Sequence, residues 1–160
     1  HGGSMRYFLC KKDIYSKTSR LKKLIVLEKK LRLDHLSTYK LFAERVNQSR
    51  VSLIKLLKKL KKKGKTICAY GATSKSTTVF NFCKIDENLI DNYFDNTKIK
   101  QNKYSPGMHI PVKSFAKMKN YPDYFFLSAW NHKNEIMNKE REFNKNKGKW
   151  ILHVPKVRII

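Results

Sequence analysis

Acidic residues are scarce in this 160-residue chain: 12 Asp and Glu stand against 36 Lys and Arg, a formal net charge of +24. Cysteine is scarce too. Cys10, Cys68 and Cys83 lie far apart and no CxxC pair occurs, so neither a disulfide framework nor a cysteine-rich zinc module is encoded. An odd count of this kind fits a reducing compartment. No apolar run approaches the roughly 20 residues of a membrane span, and no signal peptide is visible. The cytoplasm, with no membrane partner, is the expectation. No internal repeat is evident.

What is present is enough for one domain with a core. Apolar residues make up 41% of the chain, with nine Phe and eight Tyr supplying bulk, which argues against long disorder. The surplus of positive charge admits three readings. Lysine, asparagine and isoleucine are enriched together in proteins of AT-rich genomes; a basic surface can bind nucleic acid; or it can bind an anionic small molecule or acidic partner. No aromatic-rich RNA-binding strand or recognition-helix pattern supports a specific nucleic-acid site.

Along the chain, His1–Ser4 (HGGS) precedes Met5 and reads either as the end of a tag or as native sequence. Arg6–Cys10 reads as a short strand. Ser19–Leu31 has leucines at helical spacing, and Ser37 reads as the N-cap of a longer helix to about Lys62, with a lysine-rich outer face. From Thr66 short strands alternate with helices: strands at Thr66–Tyr70, Leu89–Phe94, Tyr124–Leu127 and Trp150–Val154, and helices at Ser76–Cys83 and Lys133–Lys145. A polar loop over Lys98–Pro111 and a short extended piece at Ile110–Val112 separate them. The pattern implies an α/β fold, a Rossmann-like parallel sheet with flanking helices, preceded by a helical connector.

The stretch TICAYGATSKSTT carries the chemistry. An apolar strand ends in Tyr70-Gly71-Ala72 and a helix of small residues begins at once. Such a turn aims backbone N–H groups and the positive end of the helix dipole at one point, a place for phosphate. It is not a Walker loop, because Ala69 and Ser74 stand where the two glycines must be. It is a weak dinucleotide fingerprint, with Gly71 alone. What remains is a looser strand–turn–helix. Gly71 and Ala72 keep the turn open, Thr73, Ser74, Ser76 and Thr77 offer hydroxyls, and Lys75 offers charge or is simply solvated. Asp95 closes the next strand 24 residues after Gly71, where doubly wound folds place an acid on a ribose hydroxyl; capping a turn is the alternative. His35, His109, His132 and His153 lack metal-ligand spacing.

These segments resemble a known family. GKTICAYGATSKSTTVFNFCKI, FDNTKIKQNKYSPGMHIPV and PDYFFLSAWNHKNEI closely resemble, in order and spacing, the C-terminal domain of SAM-dependent sugar C-methyltransferases acting on nucleotide-linked keto-deoxysugars. YKLFAERVNQSRVSLIKLLKKL resembles that family's helical lead-in. Ser76 departs from the family, which often has glycine there. HGGSMRYFL matches the close of the family's central SAM-binding domain, which makes His1 native and, by the resemblance, the general base.

The resemblance implies the rest. Residues 1–10 are the tail of a SAM-binding domain, 11–64 a helical connector, and 65–160 a Rossmann-like substrate-binding domain. SAM belongs to that upstream domain and zinc to an N-terminal module, so this chain is a fragment inactive alone whose partners are the upstream domains. The substrate is a nucleotide diphosphate sugar with a ketone at carbon 4, methylated at the adjacent carbon, C3. Its pyrophosphate meets the amides of Gly71, Ala72 and Thr73 and the Lys75 ammonium. Lys100, Gln101, Tyr104, Pro106, Gly107, Trp130 and Asn131 complete the substrate site. Core packing is the alternative for Trp130, and loop stabilisation for Pro106-Gly107. A basic nucleic-acid-binding module and a non-catalytic scaffold are the competing functions.

Overall fold

The computed structural model describes Gly3–Ile160, and the chain falls into two compact units, one ending at Asn47 and the other spanning Gln48–Ile160. In the first unit, α1 (Ser19–Lys30) is capped by Thr18, whose hydroxyl accepts the Leu21 N–H at 3.3 Å. Nothing in α1 is buried. Arg6–Cys10, expected as a strand, is irregular and exposed, because no neighbouring strand pairs with it among the described residues. Helix α2 (Leu36–Lys62) starts one residue before the expected cap, so Ser37 lies within it.

The second unit is built on a sheet. Its strands are β1 (Ile67–Tyr70), β2 (Tyr93–Phe94), β3 (Lys103–Tyr104), β4 (Pro111–Lys113), β5 (Tyr124–Leu127), β6 (Lys149–Leu152) and β7 (Arg158–Ile159), in the order β3-β4-β2-β1-β5-β6-β7. Every pairing from β4 across to β6 is parallel. The edges are not: β3 on β4 and β7 on β6 run antiparallel, which corrects the expectation of a parallel sheet. Both exceptions are strands of two residues, reached by tight returns that need no crossover helix. Strand order reverses between β1 and β5, and in open parallel sheets the carboxyl-edge crevice at such a point takes ligands.

Side chains alternate across the strands and feed two cores. Ile67, Ala69, Phe126 and Ile151 face Leu53, Leu57 and Leu60 of α2 and Phe80 of α3 (Ser74–Cys83). Cys68, Tyr70, Phe125 and Trp150 face Phe143 of α5 (Arg141–Lys145), beside α4 (Lys133–Lys139). The single helix expected over Lys133–Lys145 breaks at Glu140, whose carboxylate accepts the Tyr70 hydroxyl at 2.6 Å. Burial, with that bond, raises the Tyr70 pKa above its ordinary value. No helix of the described residues is long and apolar enough to cross a membrane.

Candidate functional site

The turn after β1 lies at the carboxyl edge, beside the reversal of strand order. Gly71 takes φ +83°, a conformation that side chains rarely adopt. Thr73 then caps α3: its hydroxyl accepts the Ser76 N–H at 3.1 Å, while the Ser76 hydroxyl accepts the Thr73 N–H at 3.1 Å. Ser76, the residue that departs from the family pattern, is fully buried and closes this reciprocal cap.

The backbone amides of the turn are not all free. The Gly71 N–H donates to the Phe94 carbonyl at 2.8 Å, the Ala72 N–H to Asp95 Oδ2 at 2.7 Å, and the Thr73 N–H to Ser76. All three expected phosphate donors are therefore engaged within the protein. Among the described residues the Ser74 and Lys75 N–H groups have no acceptor. These are the first two positions of the helix, where open donors and the helix dipole coincide. The Lys75 ammonium donates to Asn131 Oδ1 at 2.9 Å, which brings the loop after β5 to the same point. Thr77 returns its hydroxyl to the Thr73 carbonyl at 3.2 Å.

Asp95 makes the turn-capping contacts that stood as the alternative to a ribose contact. It is buried, and besides Ala72 it accepts the Thr97 N–H at 2.7 Å and faces Lys100 Nζ at 3.4 Å. Lys100 also donates to the Ala72 carbonyl at 2.8 Å, and the Gln101 amide donates to the Asp95 carbonyl at 2.9 Å. Burial pushes the Asp95 carboxyl up, but hydrogen bonds from Thr97 and Ala72 and the Lys100 charge outweigh it, so it lies below its ordinary range. Asp95, Lys100 and Gln101 thus brace the turn from behind.

The remaining expected residues separate from this point. Pro106 and Gly107 dock on Asn81, whose amide donates to the Pro106 carbonyl at 2.9 Å. Asn81 lies seven residues beyond Ser74, about 10 Å along the helix. This loop supports the far end of α3. Tyr104 is exposed on the antiparallel edge strand. Trp130 is partly buried against the second core, next to Asn131. His1 lies outside the described residues.

An open cleft of about 360 Å³ lies beside the turn, on the α4 side of the sheet. Tyr70, Phe94 and Phe115 wall it, and Asn96, His132 and Glu135 stand at its rim. A larger cleft, about 800 Å³, lies at the opposite, amino edge around Lys65, Asp123 and Lys147. Ser128 and His153, to which the sequence assigned no functional role, come together in the fold. Extending the β5–β6 register by two residues places Ser128 beside His153, and the Ser128 hydroxyl and His153 Nδ1 are buried without partners among the described residues. Burial pushes His153 down to about 4, and its ring stacks on Phe126 at 5.1 Å. They follow two different strands, β5 and β6, so no local sequence signal marked their proximity.

A family model described as a C-methyltransferase C-terminal domain matches residues 1–155. A curated relative, the C-methyltransferase NovU of Streptomyces niveus, is 34% identical over 123 residues. That alignment takes in 76% of this chain but 29% of NovU, so the chain spans less than a third of that relative.

Proposed function

Since the chain belongs to the family of C-methyltransferase C-terminal domains, we propose that it is the nucleotide-sugar-binding part of a SAM-dependent sugar C-methyltransferase. One observation carries this reading: the open Ser74 and Lys75 amides at the N-terminus of α3, with the Lys75 ammonium beside them, on a turn braced by Asp95 and Lys100. Two adjacent donors and a cation suit the non-bridging oxygens of a diphosphate. Asn131 holds the ammonium in place before a ligand arrives, which lowers the ordering cost of binding.

In this reading the substrate is a nucleotide-linked 4-keto-deoxysugar. The ketone lets the charge left by proton loss at carbon 3 spread onto oxygen, and SAM supplies the methyl group from the upstream part of the enzyme. The residues of the Gln48–Ile160 unit bind and align the substrate, and the methyl donor is held by the upstream part of the enzyme. His1 remains the proposed base by family resemblance. Exposed apolar side chains at Tyr7, Phe8 and Leu9 support upstream domains as the partner that covers this segment. The cytoplasm remains the proposed location.

Thermal unfolding with a panel of ligands tests the proposal. Thymidine, uridine or guanosine diphosphate should raise the melting temperature of this chain at physiological salt, and SAM should not. Absence of a shift with every diphosphate contradicts it.

A further inference from the structure

Beside the diphosphate turn stands an aromatic chamber that the turn itself does not need. Phe115 lies 4.9 Å from the Tyr70 ring and 5.4 Å from the Phe94 ring, tilted against both. It sits on a 3-10 turn started by Ser114, whose hydroxyl accepts the Ala116 N–H at 3.2 Å. Unlike Tyr70 and Phe94, Phe115 is only partly buried, so part of its surface stays open. The adjoining cleft, about 360 Å³, falls at the small end of the range for ligand pockets.

The cleft and the anion donors join through two strips of chain. Gly71 lines the cleft and lies three residues before Ser74; His132 lines it and follows Asn131, the partner of Lys75. A Cβ built on Gly71 would meet only Thr73 Cγ2, at 3.7 Å, so the space above that residue is open. Asn96 stands exposed at the rim, and its side-chain amide has no hydrogen bond among the described residues. An amide edge beside an aromatic wall has one donor group and one acceptor, the combination that reads the edge of a nucleobase.

We propose that the cleft walled by Tyr70, Phe94 and Phe115 is the nucleobase subsite of the diphosphate turn, with the base against the Phe115 ring and its edge toward Asn96. This rests on the diphosphate reading given above. The sugar then extends from the other phosphate, away from the aromatic wall.

Calorimetric titration of this chain at 0.15 M salt with uridine diphosphate, a uridine diphosphate hexose and inorganic pyrophosphate separates the two claims. Uridine diphosphate should bind more tightly than pyrophosphate. Phe115→Leu, which keeps apolar volume but removes the ring, should weaken the nucleotide about tenfold and leave pyrophosphate unchanged. Asn96→Ala, at an exposed position, should weaken the nucleotide by a smaller factor without lowering the melting temperature. Equal affinity for nucleotide and pyrophosphate, or unchanged nucleotide affinity in both variants, overturns the base subsite and leaves the diphosphate turn standing. Loss of only the sugar-dependent part of the affinity in Phe115→Leu also overturns it, by placing the sugar in the cleft. Failure of all three ligands to bind overturns both readings.

Discussion

Asp95 engages both carboxylate oxygens within the protein, and this fixes what its loss should do. Asp95→Asn keeps the shape but removes the charge facing Lys100 and weakens acceptance from Ala72. Chemical denaturation should show a loss of about 1–3 kcal/mol, with a parallel loss of diphosphate affinity through a looser turn. A residue that only touched ribose would leave stability unchanged. The spacing from Gly71 located the right acid but not its partner, since the choice between a ligand hydroxyl and a backbone amide is made by three-dimensional proximity. The anion donors have the same history. The sequence identified the turn, yet Gly71, Ala72 and Thr73 are engaged by Phe94, Asp95 and Ser76, the first at the end of β2 and the second just after it.

His153 gives a second outcome at this scale. In the unfolded chain an imidazole titrates near 6.5, and in the fold burial holds it near 4. The unfolded state therefore binds the proton first. The stability it contributes is full above pH 6.5 and falls as pH drops toward 4, by about 3 kcal/mol in total. Urea unfolding at pH 7 and pH 5 should show this fall, and His153→Gln should flatten it. An equal fall in the variant means that another group is responsible.

Among the elements, α3 is held at both ends by different loops. Its start meets Asn131, and its last turns meet Pro106–Gly107 through Asn81. Gly107 takes φ +85°, and a Cβ there would stand 1.8 Å from Asn81 Oδ1. Gly107→Ala must displace Asn81 and should lower stability by about 1–3 kcal/mol, with diphosphate affinity changed less than about twofold. A large loss of affinity in a protein of normal stability would return this loop to the substrate site. In the core that α3 shares with α2, Leu57 is fully buried, and Leu57→Ala should remove about 2–5 kcal/mol by calorimetry. Strands β1 and β5 were legible because each is a compact apolar run, β1 buried along its length and β5 from Phe125 onward. Strands β3 and β7 were not, because two residues carry no period, and their pairing depends on where the chain returns. The break at Glu140 was hidden because the helical pattern continues through it, while its contact lies on β1.

For the whole molecule, the net charge of +24 guarantees attraction to any polyanion at low salt. Nucleic-acid binding of that origin falls steeply as salt rises, whereas the proposed diphosphate contact, through two fixed amides and one held ammonium, should persist near 0.15 M. The parallel core follows from the alternation of short strands and helices that the sequence displayed, whereas the strand order, with its reversal between β1 and β5, is set by which strands meet in three dimensions. The most direct measurement is amide chemical-shift mapping of the labelled chain titrated with a nucleoside diphosphate at 0.15 M salt. The resonances of Ser74 and Lys75 should move first and farthest, and Lys75→Ala should weaken binding about tenfold or more. Shifts centred on Lys65, Lys119 and Lys147 at the amino edge, with Ser74 and Lys75 unmoved, would contradict the account.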